Sequence, residues 1–265
     1  MTRAEPSWLA ARREADVRAR ESAIVLVRRL QQHLGSGPAD GIDIGTGTGA
    51  NHRYLTGLFT ADPCWSVVDH DPGMLNHSAH ARAVAKLTSL TDLPKMLDRN
   101  GHRGTFLTCS AVLDVLRERE IAALTRVIVE RRLPALFSLS VTGEVTIHPE
   151  HPLDHDISAA FNAHQRRDGR LGPDAGRCLA EGLPAGWLHQ VRTPWRLNAA
   201  ADADLIRRYL TERAQVAVEQ DRRLTAPATG WLKLRLEQLG EGHLRVEVGH
   251  VDQLVLPRLH RVPPA

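Results

Sequence analysis

The feature that most restricts what this 265-residue chain can fold into is the glycine run Ala39 to Ala50, ADGIDIGTGTGA. The short apolar stretch Ile42-Asp43-Ile44 ends at three glycines on alternate positions, Gly45, Gly47 and Gly49, and a helical pattern runs on from Asn51 to Phe59. That order reads as strand, tight turn, helix. Glycine is needed in the turn because the chain must take φ values that a Cβ disfavours, and because a ligand has to approach the main chain closely. A dinucleotide fingerprint G-x-G-x-x-G/A also fits through Gly45, Gly47 and Ala50, so the glycines alone do not separate NAD(P) from another nucleoside cofactor.

The neighbouring residues narrow the choice. Asp43 lies two residues before the first glycine, and the next apolar run, Trp65-Ser66-Val67-Val68, leads into Asp69-His70-Asp71-Pro72-Gly73-Met74-Leu75. An acid at the end of a second strand is placed to accept hydrogen bonds from ribose hydroxyls. With these residues on the page, D-I-G-T-G-T-G followed by V-D-H-D-P-G-M-L resembles motif I and the acidic loop of class I S-adenosylmethionine (SAM) dependent methyltransferases. A third block, Thr105 to Leu116 (TFLTCSAVLDVL), is similar to that family's fourth strand and the loop after it.

The resemblance covers roughly residues 39 to 143. It implies an α/β, Rossmann-like fold, with a mostly parallel sheet and an antiparallel last strand, and it implies SAM as cofactor. Gly45, Thr46, Gly47 and Gly49 would carry the methionine part, and Asp43 would support the loop or meet the ammonium group. Asp69 would hold the ribose, with His70 beside it and Asp71 as competitor. Ser110, Ala111 and Leu113 would face the cofactor. The family places an acid after its third strand for the adenine. Here Thr88 or Ser89 stands at that place, and Asp92 serves if the loop runs differently.

Read in order, Ser7 to Leu34 is helical, in one or two segments, with Ser7 as its cap and Gly35-Ser36-Gly37-Pro38 as its end. Residues 1–38 form an N-terminal cap in this reading, 39–256 the cofactor domain and 257–265 a tail. A helix is expected from Pro72 to about Val84 and another over Glu118 to Arg132, between buried strands at Gly104–Cys109 and Pro134–Val141. Such alternation argues for a parallel sheet with helices on both faces. Residues 142–171 break the pattern, being polar and long for a connection, and are expected to form a substrate lid around a helix near 156–166. Beyond it come a helix to about Leu183, a strand from Trp187 to Trp195, helices at 202–222 and 231–239, and an antiparallel edge strand at Leu244–Val248.

Composition excludes several classes. Lys and Arg total 34 against 31 Asp and Glu, and the signs are interleaved, as in Arg117-Glu118-Arg119-Glu120, so no basic stripe marks a nucleic-acid face. Cys64, Cys109 and Cys178 are too few and too scattered for a disulfide framework or a zinc knuckle. Without a signal-peptide core or an apolar run of membrane-spanning length, a soluble, cytoplasmic protein is expected.

Among candidate site residues, Asn162, His164, Gln165 and Arg166 group amide, imidazole and guanidinium on the lid helix, as a polar small-molecule pocket would use. Asn162, Arg166 and Arg12 are the expected substrate contacts. His164 and His148 are the candidate general bases, since imidazole takes a proton near neutral pH. Ser110 and Asp114 are placed to line the transfer site. His148, Glu150, His151, Asp154, His155 and Asp156 lack metal-ligand spacing, and no metal is expected. The function implied is methyl transfer from SAM to a small molecule through an oxygen, nitrogen or carbon nucleophile. An NAD(P) oxidoreductase, an RNA methyltransferase and a non-catalytic SAM-binding module are the alternatives.

Overall fold

The computed structural model describes residues 5–75, 83–86, 90–94, 97 and 104–258. One sheet carries the molecule. Its strands are β1 (Asp40–Ile44), β2 (Cys64–Asp69), β3 (Ala83–Lys86), β4 (Thr105–Ser110), β5 (Ala135–His148), β6 (Leu188–Arg192), β7 (Trp195–Asn198) and β8 (Arg245–Val255). Their order is β3-β2-β1-β4-β5-β8-β6, with β7 also paired to β8. Strands β1 to β5 run parallel, whereas β8 is antiparallel to β5, β6 and β7. The sheet is therefore the α/β, Rossmann-like arrangement expected, mostly parallel with an antiparallel last strand.

The helices follow from apolar stripes laid on that sheet. They are α1 (Pro6–Arg20), α2 (Ile24–Leu34), α3 (Ala50–Thr56), α4 (Pro72–Leu75), α5 (Glu118–Arg131), α6 (Leu153–Gln165), α7 (Ala175–Glu181), α8 (Ala199–Gln220) and α9 (Thr225–Gly240). On one face of the parallel strands, Ile121, Leu124 and Ile128 of α5 and Leu179 of α7 bury against Ile42, Leu107 and Phe137. On the other face Leu26, Val27 and Leu30 of α2 meet Trp65, Phe106 and Leu136. A third core joins α1, α6, α8 and α9 to β7 and to the far halves of β5 and β8. Among the described residues no helix is long and apolar enough to cross a membrane.

Several expectations need correction. The last strand is not at an edge: β8 lies between β5 and β6. Only its first residues alternate in burial, and from Val248 to His250 and again from Asp252 it is buried continuously, so period two caught its start alone. Residues 142–148 are not lid loop. They continue β5: Thr142, Gly143 and Glu144 fall in a register shift, and residues 145–148 pair with residues 245–248 and alternate in burial. Val84 belongs to β3 and not to a helix. The stretch 187–195 splits into β6 and the start of β7, and the helix expected at 231 begins at Thr225. Ser7 does not cap α1; it lies inside the helix, where Pro6 opens the first turn, and its hydroxyl donates to Glu5. Pro257 and Arg258, at the root of the expected tail, stay close to the body, with Arg132 hydrogen-bonded to the Arg258 carbonyl. Residues 259–265 lie outside the described residues.

The start of α6, the helix of the expected lid, is fastened from within. Arg235 of α9, wholly buried, donates through Nη2 to both carboxylate oxygens of Asp154 at 2.6 and 2.5 Å, and Trp231 Nε1 donates to Oδ1 at 2.7 Å. Arg235 Nη1 also reaches the Pro149 carbonyl at 2.6 Å. Removing one partner of such a pair strands the other charge in the interior. Asp154→Ala is expected to lower stability by about 3–5 kcal/mol, read as a lower denaturation midpoint in urea with an unchanged slope.

Candidate functional site

The glycine turn sits at the carboxyl edge of β1. In the sheet β1 lies between β2 and β4, so the chain crosses over to opposite sides there and leaves a crevice, the place where open α/β sheets bind ligands. Gly45, Gly47 and Gly49 take φ of 65°, 53° and 78°, which explains why glycine occupies all three. The Gly45 amide donates to the Val68 carbonyl at 2.8 Å, locking the turn to the end of β2.

Two carboxylates shape this turn. Asp43 is fully buried: Thr46 Oγ1 donates to its Oδ2 at 2.8 Å and Asn51 Nδ2 to its Oδ1 at 2.7 Å. Both oxygens are thus engaged inside the loop, which gives Asp43 the supporting place. Asp69 accepts from the Gly47 amide (Oδ2, 2.9 Å) and the Asp71 amide (Oδ1, 3.0 Å), and His70, exposed, stands 3.2 Å away. A carboxylate offers about four lone-pair directions, so Asp69 keeps acceptor capacity for a hydroxyl pair. Ser89 lies outside the described residues, and Asp92 closes a short 3-10 turn at Leu90–Asp92.

Sequence reasoning missed Asn51 and His52. Both are buried in the first turn of α3, and Asn51 Oδ1 and His52 Nε2 have no hydrogen-bond partner. The signal was two polar residues just past the last glycine and Ala50, in the first turn of the helix that the glycine turn opens.

The opposite wall comes from β4 and α1. Ser110, at the end of β4, pairs with Ser138 of β5, and the residues after them, Ala111 and Leu139, both have φ of 54°. Left-handed backbone at two non-glycine positions side by side is strain of the kind that collects at functional sites. Val112 lies over Gly45, where an added Cβ would fall 2.8 Å from Val112 Cγ2, and Leu9 of α1 lies over Gly47.

Beyond Val112 the chain makes a 3-10 turn, Leu113–Val115, carrying Asp114. Its Oδ1 is sealed from solvent with no partner. Burial raises the Asp114 carboxyl above its ordinary range, opposed by its own backbone and by the charges of Arg12 and Arg170. Arg12 is held by Asp16 at 2.8 and 3.0 Å and lies over the Trp195 ring at 5.0 Å. His250, buried against Trp195, directs Nδ1 at the Val248 carbonyl, and burial with Arg12 nearby pushes it down to about 3, so it is neutral.

The lid residues go elsewhere. Asn162 Nδ2 donates to the Gly143 carbonyl at 2.9 Å, and Arg166 Nε to Asp174 at 2.6 Å, so both fasten α6 to its neighbours. His164 faces Glu219 of α8 at 3.5 Å, its pKa lowered by burial and by Arg167, partly offset by Glu219. His148 is exposed and paired with Arg245, ten residues along β5 from Ser138. The structure therefore gathers Asp43, the glycines, Asp69, Ser110 and Ala111 at one edge, with Arg12 and Asp114 across from the glycine turn, and leaves the two histidines apart. Among the described residues no three His, Cys, Asp or Glu side chains converge as a metal site.

No protein-family model matches the sequence, and no curated protein matches it. Solved structures give loose overlaps. A cyclopropane-fatty-acyl-phospholipid synthase-like protein from Lactobacillus casei is 12% identical at a TM-score of 0.47, over 93% of this chain and 92% of the other. The cyclopropane synthase MmaA2 from Mycobacterium tuberculosis is 14% identical at 0.41, over 88% and 84%. Phosphoethanolamine N-methyltransferase 2 from Haemonchus contortus, solved with SAM, is 10% identical at 0.35, over 88% of this chain and 52% of the other. Overlap this loose does not transfer an activity.

Gly45→Ala puts a Cβ on left-handed backbone against Val112 and is expected to cost about 1–2 kcal/mol from the backbone alone, measured by urea denaturation. Asp114→Asn is expected to act in the other direction. With its folded pKa raised above the unfolded value, the acid's favourable contribution is complete below the unfolded pKa and is lost as pH rises through the folded one. At neutral pH the substitution should raise the melting temperature, and the gain should shrink as pH falls towards the ordinary carboxylate range near ~4.

Proposed function

We propose that this protein transfers the methyl group of SAM to a small-molecule acceptor. The observation that carries the reading is the Gly45–Gly49 turn braced by Asp43 and Asp69 at the switch point between β2, β1 and β4. Dinucleotide-binding sheets of order 3-2-1-4-5-6 share that crevice. The antiparallel β8 set between β5 and β6 is what favours the methyltransferase resemblance over an NAD(P) oxidoreductase.

The residues present fit the cofactor. Glycine at three of the five turn positions leaves its main chain open to close approach, and Asp69, with two amides bound, has lone pairs to spare for a ribose. When bound, the sulfonium supplies an electrophilic methyl group and its own leaving group. The chain's part is alignment and dehydration. Leu9 and Val112 cover the turn, and Ala111, held in left-handed backbone by its amide on the Ser138 carbonyl at 2.9 Å, fixes the path of the β4 loop towards Asp114.

Asp114 is the residue assigned to the acceptor. Its free oxygen suits a hydroxyl or amine hydrogen, and a carboxylate raised by burial is a stronger base for taking the acceptor's proton than a solvated one. A small acceptor is favoured over RNA because α1 and the fastened lid helix enclose this side.

Calorimetry decides the reading. SAM and S-adenosylhomocysteine are expected to bind and NADH is not, and Asp69→Ala should weaken SAM by about ten- to a hundredfold, the size of a charge-assisted hydrogen bond. NADH binding without SAM binding would overturn the proposal.

A further inference from the structure

Three arginines are buried among the described residues: Arg20, Arg213 and Arg235. Two have counter-charges, since Arg20 Nε lies 3.6 Å from Asp252 and Arg235 grips Asp154. Arg213 of α8 has none among the described residues. Its Nη1 donates to Tyr209 Oη at 2.8 Å, and its guanidinium lies over the Phe161 ring of α6 at 4.2 Å and near that of Tyr209 at 5.2 Å. Nε and Nη2 are shut off from solvent with no partner.

Those two atoms are the side-on edge of a guanidinium, the pair of parallel N–H groups that matches the two oxygens of a carboxylate. Burying a cation without an anion is costly, and ring faces with one neutral hydroxyl compensate only part of that cost. Arg213 also stands at the end of a row of rings. Tyr209 meets Trp195 at 6.3 Å between centroids, Trp195 carries Arg12, and the Arg12 charge reaches Asp114.

We propose that Arg213 is the anchor for a carboxylate carried by the acceptor. This deepens the methyl-transfer reading and rests on it for the word acceptor: the substrate is a small organic acid whose carboxylate binds Arg213 while its nucleophile lies on the Asp114 side. One guanidinium balances one negative charge, which favours a carboxylate over a phosphate dianion. The flat walls of Phe161 and Tyr209 suit an unsaturated or aromatic body.

The test uses the full chain and benzoate as probe, with benzyl alcohol as neutral control and phenyl phosphate as dianion, by calorimetry and melting at constant ionic strength. Benzoate is expected to bind and raise the melting temperature, benzyl alcohol to do neither, and phenyl phosphate to bind more weakly than benzoate. Arg213→Met should weaken benzoate at least about tenfold and be no less stable than the parent protein, since it removes an uncompensated charge. Arg213→Lys, which keeps the charge but loses the fork, should fall between, and it carries the test alone if the methionine variant does not fold. Equal benzoate affinity in parent and variants, no benzoate binding in the parent, or tighter binding of phenyl phosphate through Arg213 would overturn the proposal. SAM affinity separates the two readings. Benzoate bound at Arg213 in a protein that binds no SAM removes methyl transfer and leaves an anion site, whereas SAM binding with Arg213 indifferent to benzoate removes the anion site alone.

Discussion

The half of the sheet beyond β4 depends on one buried carboxylate, Asp252. Its Oδ1 accepts from the Leu139 amide at 2.8 Å and from Thr193 Oγ1 at 2.9 Å, and its Oδ2 lies 3.6 Å from Arg20, whose Nη2 reaches Ser138 Oγ at 2.9 Å. Leu139 sits where the pairing of β5 with β8 shifts register, on left-handed backbone. A bulge leaves one residue outside the ladder, and that residue's amide needs a partner in the interior. Asp252 supplies it and ties β5, β8, the β6–β7 connection and α1 to one point. With β5 bent there, its second half runs on past the crevice and leads into α6.

The two walls of the crevice are built on different principles. The glycine-turn wall is backbone: three glycines, amides turned to Val68 and Asp69, and a carboxylate beneath. The facing wall is side chains on four separate elements, with Arg12 from α1, Asp114 from the turn after β4, Trp195 from β7 and His250 from β8. Among the described residues, buried polar atoms without a hydrogen-bond partner occur on both sides, Asn51 Oδ1 and His52 Nε2 at the turn and Asp114 Oδ1 across from it. Asp154, Asn162 and Arg166 each have their partners, while Asp114 Oδ1 and Arg213 Nε do not.

That contrast explains how much of the molecule was legible in the sequence. The glycine turn and Asp69 were readable because their chemistry is local: turn and acid each follow the strand that places them. The parallel strands were readable as short apolar runs for the same reason. The lid residues were noticed for their polarity alone, and polarity does not distinguish a seam from a pocket. Only the tertiary partner does, and Gly143, Asp174 and Glu219 lie on other elements, outside the helix that carries these residues. Arg213 was passed over although its signal was present, as an arginine at a core position of a stripe formed by Ile206, Tyr209, Leu210, Ala214 and Ala217. His250 and Asp252 hid in a strand whose visible alternation ended before them. His148 and His164 were chosen for the pKa of free imidazole, whereas the structure distinguishes histidines by what surrounds them.

The position of β8 bears on how this chain is made. The far half of β5 pairs with residues 245–248 of β8, which β7 also pairs with from the other side, while β6 pairs with residues 251–255 of the same strand. During vectorial synthesis the nucleoside half of the sheet has its strands in hand early, but three strands of the other half emerge before the one that joins them. Until translation reaches it, β5 presents an open hydrogen-bonding edge, the kind of surface on which nascent chains associate wrongly. The bulge at Leu139 and the polar Thr142-Gly143-Glu144 that follow it twist and charge that edge while it waits.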